Sequence, residues 1–552
     1  MSEIKNSEQR PARGILLASA VAMAVCLFGN LGAIGLVGPD EPRYAWIARA
    51  MAETGDWVTP LLYGQPWFEK PILYYWAAAM GFRLHLPAEW AARLPSALAA
   101  LVAAIAIGWL ARRHYGDGGT FTQRVPLLAP LIFSTSVAAI GFARSGGPDM
   151  LFAASIALAM ASAACALRRA GALRGESAAS RSDSLPLLLF GGFLGLGALA
   201  KGPAAVILAG GAIGLWAIAT GHWRAAFRSV HPIAVATFCV VALPWYVVCA
   251  LRNPEFLRVF IFQHNFQRYL TPLFQHRQPF WFFGPILLLA VLPWTVLLWP
   301  AAREGLRLWR EQSWKNSPGF FFACWATFPV FFFSLSQSKL PGYILPAIPP
   351  LALLLAVALS RAAVADSEAG QHSFRTIGVA LGITWIVLGI AAFQWASRLP
   401  QAARDAAGWP IFMTAILAIT GGIGVATVAL LRKRAFVALA LALTVLCVAA
   451  AGLRILPALD ASFSARWHGQ LMRNDAHPDR IFTYHLQRSW SYGIEFYLGR
   501  ELSEWSPDDR ESALVLTTPE GLREMRRLGR VHGDLDESYR GIVYAPVAPA
   551  PH

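Results

Sequence analysis

One feature constrains this chain more than any other. Apolar runs of about 18 or more residues recur along it, and each can cross a hydrocarbon core of about 30 Å as a helix. They fall near Gly14–Val37, Ala91–Leu110, Val125–Phe142, Asp149–Arg168, Leu185–Ala200, Pro203–Thr220, Pro232–Leu251, Pro279–Trp299, Gly319–Leu335, Ile344–Leu359, Ile377–Ala396, Pro410–Leu431 and Phe436–Leu453. The fold class that follows is membrane all-α: a polytopic bundle of about 13 spans. Arg112-Arg113, Arg168-Arg169, Arg224, Arg228, the Arg303–Lys315 loop and Arg432-Lys433-Arg434 then face the cytoplasm. Lys5, Arg10 and Arg13 put the N-terminus on that side too, with the first run as a retained anchor. This distribution accounts for a net charge of +15 without nucleic acid as a partner. The six cysteines sit in or beside apolar runs, with no CxxC or Cys/His spacing that suits zinc, and read as small buried hydrophobes.

An odd span count leaves the C-terminus outside. From Pro457 the chain turns polar, with strand-like pieces at Arg480–Tyr484 and Ala513–Thr517 and helical periodicity over Pro519–Leu528. The expected organisation is a transmembrane catalytic part, residues 1–456, and a small periplasmic α/β domain, residues 457–552. Outer loops 38–90 and 252–278 would form the site between them.

The first of those loops holds the most chemistry. Gly38–Tyr75 carries Asp40, Glu41, Arg43, Asp56, Glu69 and Lys70 in a chain only 14% charged. Within it, Tyr44–Glu53 sets Ala45, Ile47, Ala48, Met51 and Ala52 on one helical face, with Arg43, Arg49 and Glu53 towards the other, as a helix lying in the membrane interface would. On the expected topology Asp149, Arg144, Lys201, His264, Arg268, His276, Arg277 and Lys339 gather on the same side. Ionisable groups at membrane depth are costly and mark a pathway or a site, although cations at span ends also snorkel and any outer loop carries some charge. Arg43, Lys70, Arg268 and Lys339 at one face make an anion site suited to phosphate. The interleaved acids would orient an acceptor, take a proton or stabilise positive charge in a transfer reaction.

The order of these pieces carries a resemblance. DEPRYAWIARAM (Asp40–Met51), GDWVTP (Gly55–Pro60), FEKPILYYW (Phe68–Trp76), ARSGGPDM (Ala143–Met150) and AKGP (Ala200–Pro203) are followed by HNFQRY (His264–Tyr269), HRQPFWFF (His276–Phe283) and SKLPGYILP (Ser338–Pro346). Together they resemble the 4-amino-4-deoxy-L-arabinose (lipid A) transferases, relatives of the protein O-mannosyltransferases in the C-type glycosyltransferase superfamily. The resemblance covers roughly the first two-thirds of the chain and implies a sugar transferase using undecaprenyl phosphate as carrier and lipid A as acceptor. It implies catalytic roles for Asp40, Glu41 and Asp149, and a donor phosphate site of Arg43, Lys70, Arg268, Lys339 and Tyr343. The doubled glycine before Pro148 departs from the pattern and bears on Asp149. No cofactor is required by such chemistry; a zinc or other divalent ion held by Glu69 and His264 is an added option that no spacing motif demands. A monomer is expected. The competing readings are a protein O-mannosyltransferase, whose hydroxyl acceptor would need a true base, a lipid-linked anion flippase and a lipid A-binding scaffold. A flippase would place its charges near the midplane on matching halves, which this sequence does not show.

Overall fold

Each apolar run of the sequence forms helix, but the helices differ in length. The structure, a computed structural model, describes residues 13–115, 124–173, 184–271, 277–364, 367–431, 434–473, 480–509, 511–531 and 542–547, less the side chains of residues 265, 266 and 268. Lys5, Arg10, His276 and the Arg432-Lys433 pair lie outside the described residues. Among the described residues eight helices are long and apolar enough to cross a membrane. Two sharply bent pairs raise the count to ten: Val125–Ser134 with Val137–Ala143, bent by 60°, and Phe280–Ala290 with Trp294–Arg310, bent by 108°. The chain is a polytopic membrane protein.

The remaining three apolar runs are the shorter helices Arg13–Phe28, Ala204–Thr220 and Pro318–Ser334, of 16, 17 and 17 residues. At 1.5 Å per residue they reach only about 25 Å. Hydropathy alone does not register such breaks. The first run was expected to stay helical to Val37, but its helix stops at Phe28. Asn30 then adopts a left-handed φ of 53°, and residues 29–37 run back irregularly towards the bundle.

Close packing in the bundle relies on small residues, as membrane helices generally do. A Cβ added to Gly382 would lie 2.5 Å from the Gly422 carbonyl oxygen, and one on Gly422 2.7 Å from that of Gly382, so the helices Glu368–Ser397 and Gln401–Leu430 meet backbone to backbone. The Asp149–Arg169 helix is central, with 94% of its apolar window buried. Its N-terminus delivers Asp149 to one end of the bundle.

Above that end lies the first long loop. The helix Asp40–Thr54 buries Ala45, Ile47, Ala48 and Met51 of the face that periodicity selected, with Tyr44 beside them, and leaves Ala52 half-buried. The other face is not free to meet headgroups, however. Arg49 lies 4.4 Å over the Phe496 ring and donates to the Phe496 carbonyl at 3.0 Å, so a helix expected in the interface is covered by the C-terminal part of the chain. A hairpin, Leu61–Leu62 with Gln65–Pro66, follows, and its two-residue turn Tyr63-Gly64 has positive φ at both positions (51° and 79°), as tight hairpins need. Leu73–Arg83 then leads to the span Ala88–Tyr115.

That span carries Arg93, and Arg93 ties the loop down. Its Nε and Nη2 bind the two oxygens of Glu41 at 3.1 and 2.7 Å; Nη1 donates to the carbonyls of Leu31 and Ile34 and Nη2 to that of Gly35, each at 2.7 Å. Glu41 also accepts from the backbone N–H of Val37 at 2.9 Å and of Gly146 at 2.6 Å. Both side chains are buried.

The last part of the chain forms a three-stranded sheet. Ile481–Tyr484 runs parallel to Ala513–Thr517, with Ile481 opposite Leu514, and Val543–Val547 lies antiparallel on the far side of Ala513–Thr517. The helices Arg466–Arg473 and Arg488–Leu498 join the sheet to the first loop. Tyr497 accepts from the Leu36 N–H at 2.8 Å and donates to Glu89 at 2.7 Å.

Removing one partner of a buried pair strands the other's charge, which typically costs about 3–5 kcal/mol. Arg93→Leu and Glu41→Leu should therefore each lower the thermal unfolding temperature of the detergent-solubilised protein sharply. The double variant should lose clearly less than the sum of the two. Strict additivity would show that the pair is not coupled.

Candidate active site

Six separate segments converge above the bundle. The first turn of Asp40–Thr54 supplies Asp40 and Arg43, and the turn before Leu73–Arg83 supplies Glu69 and Lys70. Asp149 opens its helix, and Lys201 closes Ser184–Lys201. The π-helical stretch Arg258–Gln267 brings Phe260 and His264, and the 3₁₀ stretch Pro341–Ala347 brings Tyr343. They surround a cavity of about 360 Å³. Glu69, Lys70, Lys201, His264, Tyr343, Ser336 and Ser338 give its wall polar groups, whereas Ala204, Ile207, Phe260, Phe332 and Phe333 make an apolar flank.

Charge is paired throughout. Arg43 Nη2 bridges Asp40 Oδ1 at 2.5 Å and Glu69 Oε2 at 2.8 Å, and the other oxygen of Glu69 meets Lys70 Nζ at 3.1 Å. Lys201 pairs with Asp149 and lies 4.9 Å over the Tyr343 ring. Arg43 is also enclosed by the rings of Tyr44, Trp67 and Tyr492, at 5.3, 5.3 and 5.7 Å. Asp40 is the open end of this relay: its side chain is 59% exposed, against 11% for Arg43 and Glu69. An arriving anion would therefore meet Lys70 and Lys201 in a partly apolar setting, where such contacts gain strength.

The residues singled out from sequence divide into three groups. Lys70, Tyr343, Glu69 and His264 line the cavity; Arg43, Asp40 and Asp149 connect to it through ion pairs. Glu41 and Lys339 are placed otherwise. The Glu41 carboxylate is buried against Arg93, so it holds structure rather than facing the cavity. The ammonium of Lys339 donates to the carbonyls of Ser336 at 2.5 Å and Gln278 at 3.1 Å, fixing that turn instead of lining the wall. The Arg268 side chain lies outside the described residues. As for a metal, Glu69 and His264 share one wall, but among the described residues no three His, Cys, Asp or Glu are grouped to hold an ion, and Glu69 is engaged by two cations. Sequence reasoning gathered Lys201 on this side without giving it a role, and missed Arg93 and Tyr492. A lone Arg in an Ala-rich apolar run was the available signal for Arg93; nothing in the sequence pointed to Tyr492.

Comparison with known proteins bears on the fold and on the first part of the chain. Residues 15–260 match the family model for dolichyl-phosphate-mannose-protein mannosyltransferase. A curated undecaprenyl phosphate-α-4-amino-4-deoxy-L-arabinose arabinosyl transferase of Edwardsiella ictaluri is 35% identical over 319 residues, covering 58% of this chain and 54% of the relative. The equivalent protein of Pseudomonas aeruginosa strain UCBPP-PA14 is 32% identical over 325 residues, 59% of this chain and 56% of the relative. The chain thus spans little more than half the length of the curated relatives it matches. The crystal structure of ArnT from Cupriavidus metallidurans bound to undecaprenyl phosphate superposes with a TM-score of 0.79 at 22% identity, over 98% of this chain and 100% of that one. The two structures share one fold. The relatives carry the same resemblance that its motifs show.

The C-terminal part reaches the site through the helix Arg488–Leu498. Tyr492 packs against Arg43 and stacks on Tyr63 at 6.4 Å. Three positions on from Tyr492, on the same helix, buried Glu495 accepts from the Tyr63 hydroxyl and from the Leu502 N–H at 3.4 Å. Burial pushes the Glu495 carboxyl up to about 7, with those hydrogen bonds opposing it. The folded chain then keeps a proton that the unfolded chain releases near its ordinary value of 4.5. Glu495 accordingly makes stability fall as pH rises between about 4.5 and 7, and contributes no slope above that window. Glu495→Gln, neutral at every pH, should flatten this part of the curve. Thermal unfolding across the window checks it; an unchanged slope would place the titration elsewhere.

Proposed function

We propose that this chain transfers 4-amino-4-deoxy-L-arabinose from undecaprenyl phosphate to a phosphate of lipid A, at the periplasmic face of a Gram-negative inner membrane, and thereby gives resistance to polymyxin. The observation that carries the reading is the cavity itself. Lys70, Lys201 and Tyr343 stand at its polar wall beside an apolar flank of Ala204, Ile207, Phe260 and Phe332, which suits a phosphate attached to a hydrocarbon chain. A structural neighbour with the same fold binds undecaprenyl phosphate, and relatives over the first part of the chain bear the name of the proposed activity.

In this reading the bond between the sugar's anomeric carbon and the carrier phosphate oxygen breaks, and its electron pair leaves with undecaprenyl phosphate. A new bond forms from that carbon to an oxygen of the acceptor phosphate. Lys70 and Lys201 stabilise charge growing on the leaving phosphate, the Tyr343 hydroxyl offers it a hydrogen bond, and Arg268 adds a further cation. Asp40, held by Arg43, orients the reactants and stabilises positive character on the sugar. Asp149 positions Lys201. A phosphate monoester is largely ionised near neutral pH, so the nucleophile needs no strong base. The donor is already activated, so no nucleotide is required. Residues 1–456 form the catalytic membrane unit and 457–552 a periplasmic unit in a protein acting as a monomer.

Lipid A from a strain deleted for the gene should lack the aminoarabinose mass increment and regain it on complementation. No change in that spectrum would refute the substrate assignment. With purified protein, Lys70→Ala should cut transfer on the order of ten- to a hundredfold, as loss of a charge-assisted contact of about 1.5–3 kcal/mol implies. Asp40→Asn should inactivate the wild-type reaction without an acid limb in its pH–rate profile being present beforehand. A clear acid limb in the wild-type profile would favour a hydroxyl acceptor, as in the mannosyltransferases.

A further inference from the structure

At the far end of the bundle, Leu298–Arg310 is a 13-residue helix in which no residue is buried. It belongs to the segment that turns by 108° away from Phe280–Ala290, so it does not continue that helix across the bundle. At 100° per residue, Trp299, Leu306 and Trp309 share one arc of its surface. They are 65%, 45% and 58% exposed, an apolar strip that water would not stabilise. Arg303 and Arg310 flank this arc, about 40° and 20° round the helix from Trp299; Arg303 lies 4.8 Å over the Trp299 ring. The acids are on another arc and are tied up: Glu304 pairs with Arg307 and Arg361, and Glu311 with Arg307. Lys315 follows just beyond the helix, against Trp314. Five cations thus stand against two carboxylates in this patch.

The helix also sits at a definite depth. The span Pro341–Val364 begins beside Tyr343 at the cavity and ends near Arg361, which pairs with Glu304. The 18 residues between correspond to about 27 Å of helix, close to one hydrocarbon thickness. The patch is therefore at the opposite interface from the cavity. We propose that Leu298–Arg310 lies flat in that interface, with Trp299, Leu306 and Trp309 among the acyl chains, and that Arg303, Arg310 and Lys315 bind anionic phospholipid headgroups. Aromatic residues favour this depth, and cations snorkelling from an apolar face place their charge at headgroup level. The inference is independent of the proposed sugar transfer.

Hydrogen–deuterium exchange of the full-length protein in nanodiscs tests it. Peptides covering residues 298–315 should exchange on the order of tenfold or more slowly when phosphatidylglycerol is mixed into phosphatidylcholine, since each cation near an anionic surface contributes about a fivefold preference. Peptides from the central Asp149–Arg169 helix should not change and report that the fold is intact. Arg303→Gln/Arg310→Gln/Lys315→Gln should abolish the lipid dependence while leaving that control unaltered. Equal exchange of 298–315 in both lipids overturns the proposal on the wild-type protein alone. Protection that instead accompanies a doubled mass would assign the face to a second copy of the chain and overturn it as well.

Discussion

Arg93 has five N–H donors and all five are engaged, three with backbone carbonyls of residues 31–35 and two with Glu41. An arginine can be buried this completely only where every donor finds an acceptor, because the desolvation cost is otherwise prohibitive. The consequence reaches beyond stability. Glu41 directly follows Asp40, and its carboxylate also accepts from Gly146, three residues before Asp149. One buried pair thus fixes the start of the Asp40–Thr54 helix, the returning segment after the first span and the turn that launches the central helix. The C-terminal part grips the same returning segment from above, through Tyr497 at Leu36 and Asp460 at Gly35.

The site built on this support is electrically balanced. Among its described residues Arg43, Lys70 and Lys201 face Asp40, Glu69 and Asp149. Counting cations along the sequence suggests a strongly positive pocket; the structure instead gives each cation a carboxylate partner. Such an arrangement lowers the cost of keeping three cations poorly hydrated. In the proposed transfer, an incoming phosphate would compete with internal acids for the same donors, which would limit how tightly a released carrier phosphate is retained.

How far the sequence could be read depends on the kind of information each feature carries. Long apolar runs and the buried face of Asp40–Thr54 are periodic, and periodicity is local, so they were legible. The clustering of Lys70, Tyr343, Glu69 and His264 became visible through motif order and topology. What stayed hidden is pairwise and distant. Glu41 beside Asp40 looks like a second catalytic acid until Arg93, 52 positions away, is seen to hold it. Lys339 has the composition of a phosphate ligand, yet nearby carbonyls capture its ammonium. Helix shape was hidden for a related reason: hydropathy does not sense a left-handed Asn30 or a 108° bend.

Two of the helices too short for an average bilayer, Ala204–Thr220 and Pro318–Ser334, are the ones that wall the apolar flank of the cavity, through Ala204, Ile207, Phe332 and Phe333. A helix of about 25 Å in a hydrocarbon layer of about 30 Å draws the surrounding lipid thinner, at a modest cost for each ångström of mismatch. The leaflet would then dip where, in the proposed transfer, a polyprenyl chain enters. A carrier phosphate riding at headgroup level would be lowered towards Lys70 and Lys201, shortening its path out of the bilayer plane. Membrane thickness, and with it acyl-chain length and growth temperature, thereby becomes a variable that acts on substrate entry.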